Sequence, residues 1–541
     1  MKKIVSGCIV IAVSSMLFCQ EALKSTEEEY YDFLALEGLV TRPTLNYRTL
    51  SDSEWNLSDE AEADSRNVWK DNSLGTKQKI TDHISFKAYG PDWYNSYNTA
   101  APYGQNDGAL WQGKGYNTSI TAGGRLEAYG FELTLKPQLS FSQNLSYDYL
   151  IDSNMTGTSY TGKAATYGYV WGTVDAPQRF GDSSFATFDW GDTELRYTWH
   201  TLTAGIGTQA IWLGPAWLNP VLSSNNAATY PKVDFGIRKT AVTIPGINWY
   251  IGDFEFREWL GYLSESDYFD NDSSNDHNMI NAFSFSYAPS FIPGMTLGIN
   301  RVFLTKWSKE NLKYIKSLYS TSNSNTVEDQ KASFTMDWLF PPVGFEAYGE
   351  IGIDDFSPDS DAWIYRTMVY TVGLKKNISI SKARNIYGEI IFEWNNMEMT
   401  QDFQFDWAYS FYFHSVVTQG YTNRGQYIGA GSGSGGITQY LGFKLYYSKG
   451  STLLFIHHSN PDDNYLYAKT VNTTLSREVR DVYLRSFKSI LTYGISTNYF
   501  LTPEIQISAG MAYATIVHPK YDMNSTIHNI TLTLGIKYNF R

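Results

Sequence analysis

The sequence predicts an all-β fold, a transmembrane antiparallel β-barrel of the outer-membrane type with a small N-terminal helical segment at its periplasmic end. Three observations carry this. Apolar and polar residues alternate over strand-length runs from about residue 80 to the C-terminus. Tyr 41, Phe 30 and Trp 16 of 541 residues supply strand-forming aromatics, while a mean hydropathy of -0.33 is too polar for a bundle of membrane helices. The chain closes on a strand that ends in an aromatic at the penultimate position, Phe540.

The last strand is the clearest. Ile530, Leu532, Leu534, Ile536, Tyr538 and Phe540 are apolar, and the residues between them, from Thr531 to Arg541, are polar or small. One face therefore suits lipid and the other a polar lumen. The same alternation runs through Leu491, Tyr493, Ile495 and Tyr499, through Ile505, Ile507, Ala509 and Met511, and through Leu441, Phe443, Leu445 and Tyr447. Phe131, Leu133 and Leu135 repeat it near the start. Runs of roughly 9–11 residues match a tilted crossing of the hydrocarbon. Closure of the sheet also removes the edges that an open sheet would expose. Polar or Gly-rich stretches at 98–117, 264–278, 320–330, 355–361 and 418–437 read as loops, the longer ones extracellular.

Ahead of the barrel stand two other segments. Lys2 and Lys3 followed by apolar Ile4–Phe18 form an export signal, giving a signal peptide over 1–19, a helical plug over 20–75 and a barrel over 76–541. Met16-Leu17-Phe18-Cys19 also admits a lipoprotein reading, although the bulky Phe18 stands where a small residue is wanted. Within the helical segment, Ser25-x-x-Glu28 and Thr26-x-x-Glu29 are capping boxes. Tyr30, Phe33 and Leu34 make an apolar stripe, and Gly38-Leu39 reads as a stop. A second short helix is expected from Ser51 to Trp55 and a third over 59–64. Elements this short need a surface to pack on, and the barrel mouth is available.

A net charge of -13 speaks against nucleic acid as a partner. The only cysteines, Cys8 and Cys19, fall in the export signal, so the mature barrel rests on packing and backbone pairing without a disulfide. His457 and His458 are adjacent on a strand and point to opposite faces, which disfavours joint metal ligation. The acidic loop with Asp267, Asp270, Asp272 and Asp276 lacks the mid-loop Gly and closing acid of a helix-loop-helix calcium site. Inward carboxylates recur at Glu346, Glu350, Asp354, Glu389 and Glu393. Paired acids can hydrolyse glycosides, but lumen acids matched by inward Arg125 or Lys444 are the commoner arrangement. Asp192, Glu194 and Arg196 share another alternating face. No catalytic residue, metal or cofactor is assigned.

Three segments carry binding chemistry. Pro102–Asn117 reads PYGQNDGALWQGKGYN, Ile211–Pro231 reads IWLGPAWLNPVLSSNNAATYP, and Gly420–Gly436 reads GYTNRGQYIGAGSGSGG. The last lacks the Lys-Ser/Thr ending of a phosphate-binding loop. Each serves as a well-built loop with aromatic anchors. The loop reading is the commoner one on chemistry alone, but the first two also suit sugar, because planar aromatics stack on pyranose faces and amides bond hydroxyls. The residues placed in that role are Asn106, Asp107, Trp111, Trp212, Trp217, Asn225, Asn226 and Arg424.

Taken in order, YYDFLALEGLVTRPTLNYRTL (Tyr30–Leu50), NDGALWQGKG (Asn106–Gly115), WLGPAW and LSSNNA (Trp212–Ala227), EAYGEIGIDD (Glu346–Asp355) and GYTNRGQYIG (Gly420–Gly429) resemble the Wzi-type capsule-assembly outer-membrane proteins. The resemblance spans nearly the whole mature chain. It implies a barrel of about 18 strands (roughly 16–18), a helical bundle at the periplasmic end, and a lectin-like role in attaching capsular or other exopolysaccharide. It also implies surface polysaccharide as a partner, while the apolar strand faces give outer-membrane lipid and the terminal Phe540 the barrel-insertion machinery. The alternative is a porin or substrate-specific channel.

Overall fold

The structure, a computed structural model, describes residues 25–151, 163–169, 174–319, 327–354, 368–398, 411–461, 463, 465–466 and 476–541. The expected signal peptide with Cys8 and Cys19, the loop at 355–361 and residues 320–326 of the loop at 320–330 lie outside the described residues.

Among the described residues, 18 antiparallel strands close into one barrel. The seam joins the last strand, Thr526–Tyr538, to the first, Ile84–Asn98, with Leu534 opposite Asn95. Alternation in the sequence becomes two faces. Leu532, Leu534 and Ile536 are exposed on the outside, whereas Asn529, Thr531 and Lys537 are buried inside. Two staves are interrupted. Phe131–Leu135 and Gln138–Ser142 flank Pro137, which has no N–H for the ladder, and they pair with Glu194–Trp199 and Phe185–Asp189. No helix among the described residues is long and apolar enough to cross a membrane.

Turns at one end are short, as at 245–248, 341–344 and 382–385, and Asn248 and Asn385 take positive φ there. Connections at the other end are long. By the usual asymmetry of these barrels the short-turn end, with the C-terminus, is periplasmic. The chain is an outer-membrane barrel, its apolar belt facing lipid.

The helix Thr26–Leu36 starts as the capping box requires, with Ser25 Oγ accepting from Glu28 N at 3.2 Å. Glu28 does not reciprocate; its carboxylate accepts from Trp55 Nε1 at 3.0 Å. The helix stops at Gly38 (φ 74°), where Gly38 N bonds Ala35 O and Leu39 N bonds Leu34 O. Tyr30, Phe33 and Leu34 pack with Trp69 on Tyr387, Tyr446 and Phe500 at the periplasmic rim. Tyr30 stacks on Trp69 at 4.0 Å and Phe33 on Tyr446 at 4.3 Å. The helix expected at 59–64 is present as Asp59–Ala63, capped by Ser58. The helix expected from Ser51 to Trp55 is absent. Asp52 is drawn instead to Arg238 and Arg257 of the wall, at 2.8 and 3.0 Å, and the backbone turns to meet them.

Candidate functional site

Three segments fold into the barrel rather than away from it. Residues 40–56 enter from the periplasmic side, while 208–231 and 411–436 enter from the outer end. The first two meet in the lumen as a two-stranded antiparallel sheet, Tyr47 opposite Leu213 and Arg48 opposite Trp212. The third packs on the second: Tyr412 Oη donates to Val221 O at 2.6 Å and Tyr421 Oη to Leu222 O at 2.8 Å. Val221, Leu222, Phe411, Tyr412 and Tyr421 join inward-facing Trp259, Ala282, Val302 and Leu304 in one core.

Wall carboxylates hold these segments by their main chain. Glu255 accepts from Leu45 N, Asn46 N and Tyr47 N at 2.9, 3.0 and 2.8 Å. Glu393 accepts from Trp217 N, Leu218 N and Asn219 N at 2.7, 3.0 and 2.8 Å. Glu350 accepts from Val221 N at 2.8 Å. Charged acceptors make strong bonds here, and they satisfy N–H groups that an irregular segment leaves open. Around them the lumen is ionic. Arg42 bridges Asp32, Asp337 and Glu346 at 2.6–2.7 Å, and Arg257 and Arg196 share Asp234 at 2.9 and 2.7 Å. Arg125 pairs with Glu132, Lys444 with Glu29 and Lys331 with Asp354. Of the recurring acids of the sequence, Glu346, Glu350, Asp354 and Glu393 are thus engaged in clamps and ion pairs, and Glu389 accepts from the Tyr446 hydroxyl. His457 and His458 diverge as expected, and the described residues contain no group of three or more potential metal ligands.

The residues expected to bind sugar separate into three places. Asn106, Asp107, Asn225 and Asn226 come together where the 99–114 loop lies on 218–226. Asn106 Nδ2 donates to Leu218 O at 2.9 Å, Gly108 N to Asn225 O at 2.8 Å, and Asn226 Nδ2 to Tyr427 O at 3.0 Å. Asn106 sits at φ 61°, a region that asparagine tolerates in turns. Not all of this chemistry is consumed. Both polar atoms of Asn225, 1 % exposed, lack a hydrogen-bond partner among the described residues, as does Asn106 Oδ1. Burial pushes the Asp107 carboxyl up to about 7, against a hydrogen bond from Gln112.

Trp212 and Trp217 are elsewhere, inside the lumen. The Trp212 indole donates to Ala216 O at 3.0 Å beneath the Arg48 guanidinium, and Trp217 lies 4.7 Å from Tyr440. The segment Ile211–Pro231 thus runs inside the lumen, because Glu350 and Glu393 draw its backbone inward.

Trp111 and Arg424 mark the third place, at the outer rim. Trp111 is half-buried, its Nε1 is without a partner among the described residues, and its ring lies 5.0 Å from Phe180. Phe180 continues to Tyr268 at 5.7 Å and Tyr268 to Tyr167 at 5.6 Å. Tyr147 and Tyr149, 5.1 Å apart, stand nearby, Tyr149 donating to Thr166 O. Charge accompanies the rings: Arg179 bonds exposed Asp182 at 2.6 Å, and Lys163 lies 4.8 Å from the Tyr268 ring. Arg424 projects beside this row, 3.8 Å from Asp189, with its neighbour Gly425 against Phe180. Aromatic faces next to fixed charges are the chemistry that grips a polar ring. Sequence reading did not single out Tyr147, Tyr149, Tyr167 and Tyr268. The signal available was Tyr147-Asp148-Tyr149, two rings on one side of a polar segment.

The family described as Capsule assembly protein Wzi matches residues 97–530. No curated protein matches the chain. Among solved structures, Wzi of Escherichia coli, described as an outer membrane protein involved in group 1 capsule assembly and a carbohydrate-binding β-barrel, is similar with a TM-score of 0.60 at 10% identity, over 97% of this chain and 99% of that one. OccAB2 of Acinetobacter baumannii follows with a TM-score of 0.39 at 10% identity, over 84% and 98%. OprD of Pseudomonas aeruginosa has a TM-score of 0.39 at 7% identity, over 86% and 96%.

Proposed function

The chain belongs to the Wzi capsule assembly family, and from that premise we propose that it is a lectin-like barrel that attaches or organises capsular or exopolysaccharide at the cell surface. The observation that carries the reading is the outer rim, where the Trp111–Phe180–Tyr268–Tyr167 row stands beside Arg179, Asp182 and Arg424. Within that row the Trp111 Nε1 has no hydrogen-bond partner among the described residues. In this reading Trp212 and Trp217 act from within, by fixing the segment that carries Asn225 and Asn226. Residues 1–19 direct export, 20–75 form the periplasmic plug and 76–541 the barrel, which the insertion machinery places in the membrane. A channel is the weaker reading, since three chain segments pack across the lumen and are tied to its wall. The reading is of a binding protein, not an enzyme.

The test is binding of purified protein to an array of bacterial polysaccharides, with thermal unfolding followed in parallel. Trp111→Ala should weaken binding by roughly tenfold with little change in the unfolding midpoint, the cost of one lost stacking contact. If wild-type protein binds no polysaccharide and Trp111→Ala only lowers stability, the reading fails.

A further inference from the structure

The outer face of the barrel is not apolar everywhere. In the strands Trp249–Ser264, Met295–Lys306 and Asp329–Phe340, the side chains of Arg257, Asn300 and Ser333 face the lumen, where they bond Asp234, Asn46 and one another. By strict alternation their neighbours Glu258 and Arg301, with Asn281 on the strand between, face outward. Polar groups so placed cannot stand in hydrocarbon uncovered. A 3-10 helix, Asn311–Tyr319, lies over them outside the wall. Asn281 Nδ2 donates to Ile315 O and Arg301 Nη1 to Leu318 O, both at 3.0 Å, and the Tyr319 hydroxyl bonds Glu258. Directly below, Phe285, Leu297, Ile299 and Phe334 are exposed to lipid. The helix therefore marks the upper border of the hydrocarbon, on the outer-leaflet side.

Its other face has a chemistry of its own. Residues 306–319 contain four lysines and one acid, in a chain of net charge -13. Lys309, Lys313 and Lys316 are exposed, and among the described residues none is ion-paired. Lys313 and Lys316 fall on one edge, because a 3-10 helix aligns residues three apart. Trp307, Leu312 and Tyr319 of the same segment are exposed too, the aromatics being of the kind that settle at a membrane interface.

We propose that this segment docks the phosphate-bearing headgroups of the outer leaflet, its lysines on the phosphates and its aromatics in the interface below. Charge complementarity and position on the lipid-facing exterior commit it to lipid rather than to polysaccharide, which would approach from the end of the barrel. The inference rests on the barrel and its orientation, independent of any sugar site.

The experiment uses the full-length protein in nanodiscs of phosphatidylcholine with either bisphosphorylated lipid A or its dephosphorylated form, and counts annular lipid A by native mass spectrometry. Each lysine contributes about fivefold near an anionic surface, so Lys309→Gln/Lys313→Gln/Lys316→Gln should reduce preference for the phosphorylated form on the order of a hundredfold at low salt. An all-arginine variant at the same positions should keep it. Heat-modifiable gel mobility should match wild type in both, since these side chains are exposed. Equal retention by wild type and the glutamine variant overturns the proposal. So does equal affinity for the two lipid forms, or a lysine dependence seen only with added acidic polysaccharide.

Discussion

The two ends of the lumen are closed in different ways. On the periplasmic side the closure is charged and aromatic: Arg42 has three carboxylates, Glu255 three N–H donors, and Tyr30, Phe33 and Trp69 seat on aromatic wall residues, while Tyr47 Oη, Ser53 Oγ and Asp337 Oδ1 lack a hydrogen-bond partner among the described residues. On the outer side, the 99–114 loop, the 174–184 loop and the 208–231 segment pack just as closely yet leave Asn106, Trp111 and Asn225 with unsatisfied polar atoms. Each buried orphan forfeits about 1–3 kcal/mol at either end. What separates the ends is charge: buried ion pairs hold the periplasmic side, whereas amide-to-main-chain bonds and an aromatic row form the outer one.

Breaking the charged end should have the largest effect. Arg257→Met leaves Asp52 and Asp234 buried with one cation fewer, at a cost of about 3–5 kcal/mol, read as a lower midpoint in urea unfolding followed by tryptophan fluorescence. Polysaccharide binding at temperatures where the variant stays folded should survive. If it disappears, the two ends are coupled and the contrast is false.

Next comes Trp212→Ala, deep in the lumen, which should cost about 3 kcal/mol through its cavity. Trp111→Ala, at the rim, should cost clearly less in the same assay. Equal losses would mean that Trp111 is an anchor like Trp212.

A smaller effect sharpens the comparison through pH. Burial raises Asp107 from 3.8 to about 7, so between those values the folded state holds a proton that the unfolded state releases. Stability of the outer loops should then fall as pH rises from about 4 to about 7. Hydrogen exchange in the 99–114 loop should report this slope, and Asp107→Asn should flatten it. The smallest change is expected for Asp148→Asn, which breaks an exposed pair with Lys520 worth well under about 1 kcal/mol.

Much of this could be read from residues alone, and the reasons are local. The wall was legible because lipid on one side and polar lumen on the other force period two, as in Ile530–Phe540. The first helix was legible from Ser25, Glu28 and Gly38, which act within a few residues of themselves. The inward course of 208–231 was not, because Trp, Pro and Asn suit a surface turn as well as a lumen plug. What decides it is Glu350 and Glu393, more than a hundred residues away. The candidate site was half legible. Asn106, Asp107, Asn225 and Asn226 converge, whereas Trp212 and Trp217 serve the lumen, and the tyrosines of the rim come from two connections with no shared motif.

A pull on the outer rim would travel farther than its loops. From 218–226 it passes along the chain to Trp212–Leu213, whose ladder partner Tyr47–Arg48 arrives from the opposite mouth. Because the two strands run antiparallel, opposed tension along their axes loads that ladder in shear, with its bonds resisting together instead of unzipping singly. Glu393 and Glu350 divert part of the tension sideways into the staves before it reaches the ladder. A tethered load under flow would thus be shared between the sheet and the whole cylinder.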